Sequence, residues 1–131
     1  MQTIPDFITK HPLSVLMMAA IWVLCLLPVP ETPLSSVTLI DKWVHIVMYL
    51  VLSATIAIEH KKSYGTLTVR SSLVYVWLLP IAMGGLIELA QAYCTHGNRS
   101  GEWLDFVADA VGASLVAVVT CILRVACRAK G

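Results

Sequence analysis

Four stretches of this chain, residues 12–30, 41–58, 71–93 and 104–123, each approach the roughly 20 apolar residues that carry a helix across the hydrocarbon of a bilayer. A segment in lipid must satisfy its backbone internally, so each such stretch is expected as a helix. The first holds no charge between Pro12 and Pro30. The Leu27-Pro28-Val29-Pro30 sequence that closes it is not a small-x-small cleavage site, and Trp22-Val23-Leu24-Cys25 is not a lipoprotein box. It is therefore read as a retained span. With 58% hydrophobic and 13% charged residues, the composition excludes a water-soluble domain of this length. A net charge of +1, with no basic run interleaved with aromatics, excludes nucleic acid as a partner.

Short connections separate the four stretches: the prolines 28, 30 and 33, then Lys61-Lys62-Ser63-Tyr64-Gly65, then His96-Gly97-Asn98. Links this short place neighbouring helices antiparallel. The expected fold is an all-α membrane protein, a four-transmembrane-helix antiparallel bundle forming one domain over residues 1–131. Pro80 is expected to kink the third helix, and Gly84-Gly85 and Gly112-Ala113-Ser114 to let helices approach closely. Seven of the nine Lys and Arg residues (Lys10, Lys61, Lys62, Arg70, Arg124, Arg128 and Lys130) fall on one side of this topology, and only Lys42 and Arg99 on the other. The positive-inside rule then puts both termini in the cytoplasm, with Trp43, Tyr93 and Trp103 at the outer interface. The cysteines 25, 94, 121 and 127 form no C-x-x-C pair and have no His at zinc-finger spacing. They read as small apolar residues, Cys25 and Cys94 being the one pair the topology would let bridge.

Ionisable groups inside membrane helices are costly and mark function. Asp41, His45 and Tyr49 are spaced i, i+4, i+8 in the second stretch; Gly84, Glu88 and Gln91 share a face of the third; Asp105, Asp109 and Gly112 share a face of the fourth. By helical rise, His45, Glu88 and Asp109 all lie about 6 to 8 Å inside the outer helix ends. Three polar faces at one depth point to a shared pocket formed by His45, Tyr49, Glu88, Gln91, Arg99, Asp105 and Asp109, with Arg99 in the loop above it. Against this stands interhelical hydrogen bonding alone, ordinary interfacial charge for Asp41 and Lys42, and a helix-start role for Asp105.

Asp41-Lys42-x-x-His45 with Tyr49, Glu88-x-x-Gln91, and Arg99-Ser100 followed by Asp105, Asp109 and Gly112 together resemble the signature of the VanZ-like family, over residues 38–120. The family pattern has Asn where Asp109 stands. The resemblance implies a small multi-helix protein of the bacterial inner membrane with a role in the cell envelope, associated with glycopeptide (teicoplanin) susceptibility. It names no chemical step.

Two readings of the pocket follow from its residues. In one, it binds or handles an anionic envelope lipid or precursor, with Arg99 and Lys42 meeting phosphate. In the other, it is an intramembrane enzyme acting on such a lipid: Glu88, Asp105 and Asp109 hold a divalent metal, His45 is general acid or base, and His45, Glu88 and Asp109 are the catalytic candidates. No H-E-x-x-H, G-x-S-x-G or phosphate loop is present. A third reading is a ligand-free packing protein that associates with itself or with a membrane partner. A channel or proton-linked carrier is the weakest, since no ionisable path continues into the cytoplasmic half.

Overall fold

The computed structural model describes residues 3–28, 33, 39–97 and 101–130. It is an all-helical membrane bundle of α1 (Ile4–Lys10), α2 (Pro12–Leu26) and α3 (Ile40–Tyr64), followed by α4 (Val69–Cys94) and α5 (Trp103–Ala129). Among the described residues three helices, α3, α4 and α5, are long and apolar enough to cross a membrane, and a fourth crossing is completed if the bent pair α1–α2 is one span.

The first expected span differs most from the sequence reading. Its helix, α2, has 15 residues, about 22 Å of rise, short of a hydrocarbon core of about 30 Å. Prolines set both ends. Pro12 disfavours helical backbone at His11 (φ −130°, ψ 54°) and then starts α2 at its first position. Pro28 likewise holds Leu27 extended (φ −70°, ψ 145°) and stops it. The expected continuation through Val29 and Pro30 falls outside the described residues. Before Pro12, residues 4–10 form a separate helix bent 101° away from α2, its N-terminus capped by the Thr3 hydroxyl on the Asp6 amide.

The other three helices run longer than expected. α3 continues past residue 58 through Glu59, His60, Lys61 and Lys62, so the two lysines expected in a turn sit in its last turn; it ends at Gly65, whose φ of 73° suits glycine. α5 continues past residue 123, which puts Arg124 and Arg128 on the helix instead of after it. In α4 the expected disturbance at Pro80 takes the form of a wide π-helical stretch, Ser72–Leu78, immediately before it. The Leu79 amide bonds the Val74 carbonyl five residues back, relieving the clash that a proline ring makes with the carbonyl four residues earlier.

α3 and α5 pack directly side by side, with α4 antiparallel against both. Gly112 of α5 lies so close to α3 that a Cβ there would sit 2.9 Å from the Leu50 amide nitrogen and overlap the Ile46 carbonyl. Tyr49, Leu52, Ile56, Val76, Met83 and Ile87 fill the core, joined by Ile21 and Cys25 of α2. Leu86, Leu89, Val118 and Ile122 are exposed, as expected where lipid is the solvent. One end of the bundle carries exposed Trp43, Tyr93 and Trp103; the other carries most of the Lys and Arg.

Candidate functional site

At the aromatic end, the first two turns of α3, the last turns of α4 and the first two turns of α5 each turn a polar face inward. The i, i+4 spacing does this on α3 and α5: His45, Asp105 and Asp109 are all buried, at 2%, 3% and 0% exposure. His45 Nδ1 lies 2.8 Å from Asp109 Oδ1. A carboxylate only accepts, so Nδ1 carries the hydrogen and donates it. His45 Nε2 faces Asp105 Oδ2 at 3.9 Å.

Lys42, one helical position off the His45 face, contacts Asp105 Oδ1 at 2.5 Å, Glu102 Oε2 at 2.6 Å and Asp41 Oδ2 at 3.6 Å. The lysine expected to meet a ligand phosphate thus has its charge shared among three carboxylates. Asp105 in turn is an ion-pair partner of a neighbouring helix as well as an acidic residue in the first turn of its own helix.

Glu88 of α4 is buried and accepts the Glu102 backbone N–H at 2.8 Å through Oε2, while its Oε1 has no hydrogen-bond partner among the described residues. Asp109 Oδ2 is in the same state. Two glycines allow close approach here, Gly84 to the Asp109 carboxylate and Gly101 to the backbone of α4. A Cβ at Gly84 would lie 2.6 Å from Asp109 Oδ2, and one at Gly101 would lie 3.1 Å from the Ala92 Cβ and overlap the Glu88 carbonyl. One donor atom from each of His45, Glu88 and Asp109 lies within 4.8 Å of the others, and a second set with the same property is Asp41, His45 and Asp105. Glu88 and Asp109 thus stand together as expected for metal candidates, whereas Asp105 groups with Asp41 on the other side of the imidazole.

Tyr49 lies one turn further into the bundle than His45, and Gln91 about one turn nearer the aromatic end than Glu88. The Gln91 amide donates to the Cys25 carbonyl at 2.7 Å, satisfying one of the open carbonyls in the last turn of α2 and bracing α4 against it. Tyr49 is fully buried in the core, its hydroxyl without a partner among the described residues. Arg99 lies outside the described residues. No disulfide joins Cys25, which is buried, to Cys94, which is exposed.

Glu102 was not singled out in the sequence, yet it touches the site twice, by its side chain to Lys42 and by its amide to Glu88. Its position just before a span, three residues ahead of Asp105, was the available signal. A groove of about 690 Å³ runs from Glu88 and Glu102 along α4 and α5, walled by Leu86, Leu89, Trp103 and Phe106.

These features define a membrane bundle with an acidic, histidine-containing cluster at one end. Compared with known protein families, curated proteins and solved structures, the chain matches none.

Proposed function

We propose that the cluster binds one divalent cation through His45, Glu88 and Asp109 and, through that ion, the phosphate of an envelope lipid whose chain lies in the groove between α4 and α5. The observation that carries this reading is the convergence of three buried donors within 4.8 Å, two of them carboxylates that each keep an unpartnered oxygen. Burying unpaired charge costs several kcal/mol per ion, and among the described residues five carboxylates (Asp41, Glu88, Glu102, Asp105 and Asp109) surround Lys42 and His45 here. A divalent ion supplies the missing positive charge. A bare phosphate would be repelled, so the anionic lipid head group expected from the sequence comes in on the ion.

One imidazole nitrogen with two carboxylate oxygens suits Zn²⁺ or Mn²⁺ better than Ca²⁺, which prefers an all-oxygen shell. Such an ion polarises phosphoryl oxygens. To ligate through Nδ1, His45 would have to give up the hydrogen it donates there to Asp109, carrying it on Nε2 instead, or releasing it where the ring is doubly protonated.

The lipid half of the reading rests on the groove. It is mainly apolar yet begins at Glu88 and Glu102, as an amphiphile with a phosphorylated head requires. The role in the cell envelope that the resemblance to the VanZ-like family implies, with its association with glycopeptide susceptibility, fits a ligand of this class. The concentration of Lys and Arg at the opposite end supports an inner-membrane orientation with the cluster facing outward and both termini inside.

Elemental analysis of the detergent-purified protein tests this directly. One divalent ion per chain is expected in wild type, falling to a tenth or less in Glu88→Gln and Asp109→Asn and unchanged in Asp41→Asn. Loss in Asp41→Asn with retention in Glu88→Gln would move the ion to the Asp41, His45 and Asp105 set. No ion in any sample, with no effect of added Zn²⁺ or Mn²⁺ on melting, would leave the cluster as interhelical packing.

A further inference from the structure

A second polar cluster lies at the basic end of the bundle, where α1 turns away from α2. His11 and His60 are almost wholly buried there, at 0% and 3% exposure. His11 Nδ1 is 3.1 Å from the Phe7 carbonyl, which can only accept, so Nδ1 bears the hydrogen. With both rings neutral, the His11 lone pair is on Nε2, 3.3 Å from His60 Nδ1, which must donate. The chain of bonds leaves His60 Nε2 as an acceptor.

His60 lines a cleft of about 640 Å³ whose walls also include Arg70, Tyr64 and Tyr75. Arg70 makes no ion pair with any described residue. The one carboxylate in the wall, Asp6, is engaged by the Tyr64 hydroxyl at 2.7 Å. Past Thr3 and Tyr75, which line both spaces, a crevice of about 380 Å³ opens between α1 and the bundle, walled by Ile4, Phe7, Val15, Met18 and Leu79. The 101° bend lays α1 along the membrane interface when α2 stands near the bilayer normal, so polar cleft and apolar crevice face head-group and acyl depth respectively.

We infer that this elbow seats one phospholipid of the adjacent leaflet, an anionic phosphodiester whose head group carries a hydroxyl. The unpaired Arg70 guanidinium meets the phosphate. A phosphodiester has no donor of its own, so the acceptor His60 Nε2 selects a head-group hydroxyl, and the crevice beside α1 takes the start of an acyl chain. The site is separate from the His45 cluster, at the other end of the bundle, and stands whether or not that cluster holds a metal.

Native mass spectrometry of the full chain in detergent, titrated with dioleoyl phosphatidylglycerol, dioleoyl phosphatidylethanol or dioleoyl phosphatidylcholine, tests it. Phosphatidylglycerol should bind about fivefold more tightly than phosphatidylethanol, which is anionic but lacks the hydroxyl, the ratio expected of one hydrogen bond near 1 kcal/mol; phosphatidylcholine should bind least. Arg70→Gln should weaken both anionic lipids five- to tenfold, while His60→Phe, which keeps an aromatic ring against Tyr64 and Tyr75, should bring phosphatidylglycerol down to the level of phosphatidylethanol. Lys62→Gln, at the same end but outside the cleft, should change neither. Equal binding of the two anionic lipids by wild type would overturn the head-group assignment, and equal effects of Lys62→Gln and Arg70→Gln would reduce the attraction to diffuse charge. Chain-free glycerophosphoglycerol competing as well as the intact lipid would overturn the role of the crevice. Should His60→Phe fail to fold, the wild-type lipid ranking and the exposed Arg70→Gln variant still decide.

Discussion

His45 Nδ1 and Asp109 Oδ1 meet at 2.8 Å between α3 and α5, 64 residues apart in the chain. The contact holds two parallel helices in register and also sets the tautomer of the only imidazole in the cluster. Removing Asp109 alone strands a buried donor, whereas Asp109→Asn keeps an amide oxygen to accept it. A double-mutant cycle on His45→Ala and Asp109→Ala should therefore give a coupling of about 1–2 kcal/mol, the upper part of the range for polar contacts between membrane helices. With chelator present, so that no ion contributes, thermal unfolding in detergent should place Asp109→Asn within about 1 kcal/mol of wild type and Asp109→Leu clearly below it.

The glycines of the bundle should not be equivalent. At Gly112 an added methyl meets backbone, the Ile46 carbonyl and the Leu50 amide, which cannot move without separating α3 from α5. At Gly85 it meets the edge of the Phe106 ring at 3.3 Å, which can rotate. Gly112→Ala is expected to cost about 3 kcal/mol and Gly85→Ala under about 1 kcal/mol. Gly84→Ala, which displaces the Asp109 carboxylate, should lie between them in melting temperature but exceed both in its loss of bound metal.

Glu59, near the end of α3, closes the N-terminus of α2 from outside that helix, accepting from the Leu13 and Ser14 amides at 2.9 Å each and from the Ser14 hydroxyl at 2.6 Å. It replaces the cap that His11 does not provide. Glu59→Ala should cost about 1–2 kcal/mol, and hydrogen exchange at the Leu13 and Ser14 amides should accelerate while that of the α5 core does not change.

A cation bound to the native cluster stabilises the fold by mass action, about 2.7 kcal/mol at a hundredfold excess over its dissociation constant. Chelation should accordingly lower the melting temperature of wild type and leave Glu88→Gln unmoved. Identical chelator responses in the two proteins would count against the ion.

Exposed cysteines report the orientation. Cys94 lies at the aromatic end and Cys127 at the basic end, both exposed. In intact cells a membrane-impermeant maleimide should label a variant whose sole cysteine is Cys94 and spare one whose sole cysteine is Cys127. The opposite pattern would reverse the proposed orientation.

The solvent and the helical class of this protein were legible in its sequence, because long apolar runs leave the backbone no other way to satisfy itself in lipid. The spacing of Asp41, His45 and Tyr49, and of Asp105, Asp109 and Gly112, also determined which residues share a helix face, since that depends only on 3.6 residues per turn. What each polar group touches was decided by the tertiary structure. Lys42 read as an outer-face cation but is committed to Asp105 and Glu102. Gln91 read as a site residue, and its amide nitrogen reaches the Cys25 carbonyl of α2. Glu102 belongs to the site only through tertiary contacts, its amide to Glu88 and its side chain to Lys42. Local spacing places a side chain on its helix but says nothing of the rotation and height of the next one, and interhelical packing at glycines such as Gly84 and Gly112 sets both. The 101° elbow shows the division within a single segment. Pro12 marks the break in the sequence, but the direction α1 takes is set by contacts with a helix some 50 residues on, through Tyr64 to Asp6 and His60 to His11.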